Sequence, residues 1–173
     1  MAAPIGSYGG SMSATAHHYQ TRLAWPVSPE AGSTGRGLRG YSRNHEVVTD
    51  GVDGALALSA DPGFRGDPSR LNPEQLLVMA ASSCQMLSML GAAARAGVDI
   101  LRYQDTATSR LLLGDAARLD TIRLEVTVQV AAGTDASRVR ELAQEAHERC
   151  YIANSLAIPV EVDVTVVVTA DRG

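Results

Sequence analysis

The stretch "LNPEQLLVMAASSCQMLSMLGAAA" runs from residue 71 to residue 94, and its opening reads as the start of a long helix. Asn72 suits the N-cap, where a side-chain oxygen accepts from a free first-turn amide, and Pro73 suits the first helical position, where no N–H is needed. Gln75, three residues after the cap, completes an Asn-x-x-Gln capping pattern. From Leu76 to Ala96 the chain is apolar on most sides, with Gly91 and Gly97 as the expected bend and stop. That pattern belongs to a helix buried in a core or between subunits. Ser82, Ser83, Gln85 and Ser88 interrupt the apolar run, which favours a core helix over a membrane span. In its middle stands Cys84, one of two cysteines in the chain.

Upstream of this helix, "HYQTRLAW" alternates as a strand, "GSTGRGLRG" breaks it, and "YSRNHEVVTDG" resumes extended character up to an Asp-Gly turn at Asp50 and Gly51. Two or three N-terminal strands joined by hairpins follow. Downstream, "LRYQDTATSRLLL" and "TIRLEVTVQV" read as strands, the second with Ile122, Leu124, Val126, Val128 and Val130 on one face. "DASRVRELAQEAHERC" is a helix whose stripe Val139, Leu142, Ala143, Ala146 and Cys150 recurs at three- and four-residue steps, placing Cys150 near its end on the buried face. "IPVEVDVTVVVTA" closes the chain as a strand. The expected class is α+β, with an antiparallel-leaning sheet.

A chain of 173 residues suits a single domain, here residues 17–173 after a loose tail at 1–16. The tail lacks the basic start and apolar stretch of a secretory signal, which points to the cytoplasm. A net charge of −4 argues against nucleic acid as a partner. All 15 basic residues are arginine, so the mere presence of a guanidinium at a given position carries little weight. His17, His18, His45 and His147 show no ligand spacing, and no metal or other cofactor is expected. The glycine-rich "GSTGRGLRG" lacks the Gly-Lys-Ser/Thr end of a phosphate loop.

The two cysteines lie far apart and form no Cys-x-x-Cys pair. Each occupies an inward helical position, where a thiol serves equally as a small apolar filler. By residue type alone, structural thiols are the favoured reading, and a redox couple is the alternative.

"NPEQLLVMAASSCQM" together with "CYIANSL" resembles the OsmC/Ohr family of osmotically inducible and organic hydroperoxide resistance proteins. The matching residues are Asn72, Pro73, Glu74 and Leu76 ahead of Cys84, and Cys150 with Asn154 in the second motif. The resemblance extends from about Tyr19 onward and implies an OsmC-like fold: N-terminal antiparallel strands, a long buried central helix, then β-β-α-β, in an intertwined dimer. It also implies a thiol peroxidase that reduces organic hydroperoxides, with hydrogen peroxide as a second candidate substrate. Cys84 would be the peroxidatic thiol and Cys150 the resolving one, joined as a disulfide during turnover. An external small thiol or lipoyl-type dithiol would regenerate the pair.

A free thiol has a pKa near 8.5, so a nearby cation is expected to lower that of Cys84. The resemblance offers Arg43 in "YSRNHE" first and Arg65 in "FRGD" second, with Glu74 orienting the guanidinium. Glu74 precedes Cys84 by ten residues, about 15 Å along a continuous helix. Either an arginine spans the gap, the helix breaks, or Glu74 serves the thiol of a second chain. Met79, Met86 and Phe64 are the candidate lining of a substrate pocket. Gln85 and Tyr151 depart from the histidine and proline that many relatives carry. The rival to the enzyme is a non-catalytic protein of the same fold that binds a small apolar ligand.

Overall fold

The computed structural model describes residues 16–170. Almost all of the expected N-terminal tail lies outside that range. The chain divides between Ala57 and Leu58 into two compact units, where the sequence suggested a single domain.

The first unit carries β1 (Thr21–Ala24), β2 (His45–Thr49) and all but the last residue of β3 (Leu56–Leu58), in the order β1-β2-β3. β1 and β2 are antiparallel, pairing Thr21 with Thr49 and Ala24 with Glu46. Gly51 has φ 81°, which gives the Asp-Gly turn its left-handed residue. The glycine loop between β1 and β2 is more ordered than a plain hairpin connection. It forms two short 3-10 turns and bridges Gly32 to Tyr41. Gly32 has φ 80°, and a Cβ there would run into the carbonyl of Gly40. The Trp25 indole N–H donates to the Ser42 carbonyl at 2.8 Å and its ring meets Tyr41 edge-on, so an aromatic pair pins the loop.

The second unit opens with a connector closed by the Ser59 N–H, which donates to the Leu71 carbonyl at 2.9 Å. There follows α1 (Pro73–Arg95), whose start forms as its sequence requires. The Gln75 N–H donates to Asn72 Oδ1 at 2.8 Å, and the Asn72 N–H donates to Gln75 Oε1 at 3.0 Å. Two amides that no preceding turn can satisfy are thereby paired reciprocally. Gly91 introduces no break, and Gly97, at φ 68°, follows the helix end.

Then come β4 (Ile100–Thr108), the short pair β5 (Leu111–Leu112) and β6 (Arg118–Leu119), β7 (Ile122–Val130), α2 (Ala136–Glu148), α3 (Tyr151–Ser155) and β8 (Val160–Val168). The main sheet has the order β4-β7-β8. β4 and β7 are antiparallel, but β7 and β8 pair in parallel from Ile122 opposite Val160 to Val130 opposite Val168. The sheet is therefore mixed, where an antiparallel lean was expected. The intervening helices supply the long crossover that a parallel pair needs.

Burial along β7 alternates as its pattern dictates, with Ile122, Val128 and Val130 fully buried. α1 and α2 cover that face through Ala81, Met89, Val139, Leu142 and Ala146. Each such side chain contributes about 1.5–3 kcal/mol when fully withdrawn from water, alanine less. α1 is long and apolar enough to cross a bilayer, yet its inner stripe of Ala81, Gln85, Met89, Ala92 and Ala93 is buried in the core. Its opposite side stays apolar and open: Leu87 is 63% exposed, Met79 48% and Leu90 37%.

Candidate active site

The site forms where α1 passes the junction of α2 and α3. Arg149 terminates α2, and Cys150 caps the N-terminus of α3. Cys150 is buried, but it occupies the break after α2 and not the helix's own stripe, as its spacing had implied. Asn154 secures that break. Its side-chain amide donates to the Glu148 carbonyl at 3.0 Å, and its N–H donates to the Cys150 carbonyl at 3.0 Å. An orphan carbonyl of α2's last turn thus gains a donor, which gives the Cys-x-x-x-Asn spacing a structural cause.

Cys84 stands half-exposed in the middle of α1, and both cysteines are free thiols. Burial by itself would raise the Cys84 pKa. Against it act the nearby Cys150 thiol, the Ile152 N–H, the Ser88 hydroxyl and the Tyr151 N–H, and the balance lowers the pKa. The two amides belong to the first turn of α3, where no helical acceptor reaches them. Ser88 is one turn after Cys84 on the same face. For Cys150 the direction reverses. Burial first, and then the neighbouring Cys84 sulfur and its charge, hold the Cys150 thiol above the ordinary value. Of the two thiols, Cys84 is therefore the more acidic.

A groove of about 910 Å³ runs over Cys84 between α1 and α2, reaching α3. Its apolar floor includes Ala80, Leu87, Ala92, Leu142, Ala146 and Ile152, and Ser83, Ser88, Arg95, Arg138, Glu145 and Arg149 bring polar groups to it.

Beneath α1, Ser82 donates to both oxygens of Asp105 at 2.8 and 3.0 Å. Tyr103, two residues earlier on β4, is half-buried. Burial first and then the Asp105 charge push its phenol well above the usual tyrosine range, and its hydroxyl completes no hydrogen bond of good geometry. Gln85 is buried and donates to the Ala143 carbonyl at 3.2 Å, tying α1 to α2 behind the thiol. None of these polar contacts emerged from the motifs, although Ser88 at one turn from Cys84 and an aspartate at an inward strand position were legible signals.

The remaining sequence candidates have defined places. Arg43 belongs to the first unit, where its guanidinium donates to the carbonyls of Tyr41 and Leu38 at 2.6 and 2.7 Å and lies 4.0 Å over the Tyr41 ring. Arg65 is an exposed left-handed residue, φ 67°, closing the 3-10 turn Pro62–Phe64. Glu74 sits in the first turn of α1, where a carboxylate complements the helix dipole. The helix between Glu74 and Cys84 is unbroken, which removes a helix break as the way to join them. Arg65, Glu74, Met79, Met86 and Phe64 are not among the groove-lining residues, and Met79 and Phe64 are open to solvent.

The model of the OsmC-like protein family matches residues 66–165, well over half of the chain. The chain belongs to the OsmC-like family. The fold agrees. An OsmC-like protein of unknown function from Vibrio cholerae is 24% identical, with a TM-score of 0.76 over 87% of this chain and 100% of that one. An organic hydroperoxide resistance protein from Elizabethkingia anophelis is 18% identical, with a TM-score of 0.66 over 91% and 100% of the two chains. The organic hydroperoxide resistance protein OsmC of Legionella pneumophila is also 18% identical, with a TM-score of 0.64 over 88% and 98%. At such identities the likeness establishes the OsmC fold. No curated protein sequence matches the chain significantly.

Proposed function

We propose that this OsmC-like protein is a thiol peroxidase that reduces organic hydroperoxides to alcohols. The observation that carries the reading is the pairing of two free thiols that act on one another, with Cys84 made the more acidic and facing an open groove. Membership of a family that includes organic hydroperoxide resistance proteins supports it.

The Cys84 thiolate attacks the terminal oxygen of the hydroperoxide, the O–O bond breaks, and the alkoxide leaves and is protonated to the alcohol. Sulfur loses two electrons, the peroxide gains them, and Cys84 becomes a sulfenic acid. Oxidation removes the negative charge on Cys84, one of the causes that raise the Cys150 pKa. Cys150 then loses its proton more readily, attacks the Cys84 sulfur and expels hydroxide, which leaves as water. An external thiol or lipoyl-type dithiol reduces the resulting disulfide. No metal or flavin takes part.

The open apolar stripe on α1, Leu87 and Leu90 with Ser83 and Ala94, fits a homodimer in which a second copy covers it. We assign the protein to the cytoplasm, where its disulfide would be transient. Free-thiol titration before and after one equivalent of cumene hydroperoxide tests the chemistry. The count should fall from two per chain to none. A chain that keeps both thiols is instead a binding protein for a small apolar ligand.

A further inference from the structure

The second thiol has no direct route to water for its proton. Cys150 is 1% exposed, at the junction of α2 and α3. To attack the Cys84 sulfur it must release a proton, and a buried thiol sheds one readily only to an acceptor inside the protein. The groove offers none, since its one carboxylate, Glu145, is held by Arg138 at 2.9 Å.

Beneath α1 lies a carboxylate that the chemistry at Cys84 leaves unused. Ser82 shares a single hydroxyl proton between the two oxygens of Asp105, at 2.8 and 3.0 Å, which leaves the carboxylate with acceptor capacity to spare. No arginine forms an ion pair with it among the described residues. Tyr103 occupies the same face of β4, two residues earlier, because side chains alternate along a strand. Its hydroxyl is buried and lacks a hydrogen-bond partner, a condition that native interiors rarely tolerate without a use for the group. The two charges that act on this phenol are those of Asp105 and Cys150, so it lies within the field of both. A hydroxyl can accept a proton while donating its own, which lets it join a buried thiol to a carboxylate.

We propose that Asp105 is the proton acceptor for the resolving thiol, reached through the Tyr103 hydroxyl and held in place by Ser82. As the Cys150 sulfur closes on Cys84, its proton passes to the Tyr103 oxygen and the phenol proton passes to Asp105. The S–S bond forms, the S–O bond of the sulfenic acid breaks, and hydroxide leaves with that bond's electron pair. Asp105 then returns its proton to solvent, where it and the hydroxide make water. The phenol is never left charged, which suits a group whose ionisation is opposed by burial and by Asp105. The proposal rests on the peroxidase reading for the sulfenic acid alone. The proton transfer serves any reaction in which Cys150 attacks a bond at the Cys84 sulfur.

Ellman's reagent, applied to the full reduced chain, isolates that step without a peroxide. Attack by Cys84 releases one thionitrobenzoate and leaves a mixed disulfide, and attack by Cys150 on the Cys84 sulfur releases a second. In wild type the rate of the second phase should be nearly constant across neutral pH. Tyr103→Phe and Asp105→Asn should each slow it about a hundredfold relative to the first phase, the usual worth of a positioned base. The rate that remains should rise in proportion to hydroxide concentration. Loosened packing that merely displaced Cys150 would slow the second phase without giving it that dependence. His147 is the other buried base near the junction, its Nδ1 also lacking a partner, and His147→Gln should leave the second phase alone. A normal second phase in either relay variant, a slowed one with the wild-type pH profile, or a loss in His147→Gln in place of Asp105→Asn overturns the proposal. So does a wild type that stops at the mixed disulfide. The expected pattern in a protein that consumes no cumene hydroperoxide keeps the relay and removes the peroxidase reading alone.

Discussion

Cys84 and Cys150 lie close enough for each thiol to shift the acidity of the other, and their pKa values move apart, Cys84 down and Cys150 up. One sulfur is prepared as the nucleophile while its neighbour is kept protonated, an asymmetry that follows from position. Cys84 faces an open groove and the free amides of α3, whereas Cys150 is 1% exposed at the cap of that helix.

Substituting each cysteine should give different losses. Cys84→Ser is expected to abolish hydroperoxide consumption, because a serine hydroxyl presents no anion near neutral pH. Cys150→Ser should complete one stoichiometric turnover and then accumulate sulfinic acid at Cys84, visible as two added oxygens by intact mass spectrometry. A Cys150→Ser protein that turns over repeatedly with the same reductant would remove Cys150 as the resolving thiol.

The pH dependence of alkylation should reveal the same asymmetry. Cys84 has its pKa lowered, so its thiolate is present below the ordinary thiol range and its iodoacetamide reactivity should persist as pH falls toward neutrality. Cys150 should react only at higher pH. Cys150→Ala removes the neighbouring thiol that helps lower the Cys84 pKa and should raise the Cys84 midpoint. Ser88→Ala should move it in the same direction. Mass-resolved alkylation across pH 5 to 10 measures both.

The arginine question is decided by two profiles measured side by side. Removing a cation that acts on Cys84 should raise its alkylation midpoint by about one to three units. We expect this of Arg43→Ala, with Arg65→Ala near wild type, and Arg43→Lys only a partial rescue because lysine lacks the planar fork. If neither alanine variant moves the midpoint, the donors of α3, Ser88 and Cys150 are sufficient.

Sedimentation equilibrium at micromolar concentration should return twice the chain mass of 18.2 kDa. Leu87→Glu, which places a charge on the open stripe of α1, should shift the protein toward monomer. A wild-type protein that sediments as a folded monomer would refute the dimer.

The helix cap gives a stability prediction independent of the chemistry. Asn72→Ala removes the acceptor for the Gln75 amide and should cost about 1 kcal/mol. Gln75→Ala should cost less, and the double variant less than the sum, because the two hydrogen bonds form one reciprocal unit. Urea unfolding of the four proteins completes the cycle.

By itself the sequence determined the features that depend on near neighbours. Asn72, Pro73 and Gln75 start α1 because a cap needs only its own first turn, and the period-two pattern of Ile122 to Val130 identifies a half-buried strand because side chains alternate along any strand. The spaced motifs around Cys84 and Cys150 also marked the family. Tertiary structure decided whatever depends on elements meeting. The parallel pairing of β7 with β8 follows from how α2 crosses between them, and Cys150 lies at a helix junction because Asn154 satisfies the Glu148 carbonyl there. The donors that lower the Cys84 pKa come mainly from α3, far along the chain, and the groove exists only where α1 and α2 lie side by side. Even Gly91, which looked like a bend, lies within an unbroken helix. Spacing along one chain sets what a helix face presents, but electrostatic environment is set by what packs against that face.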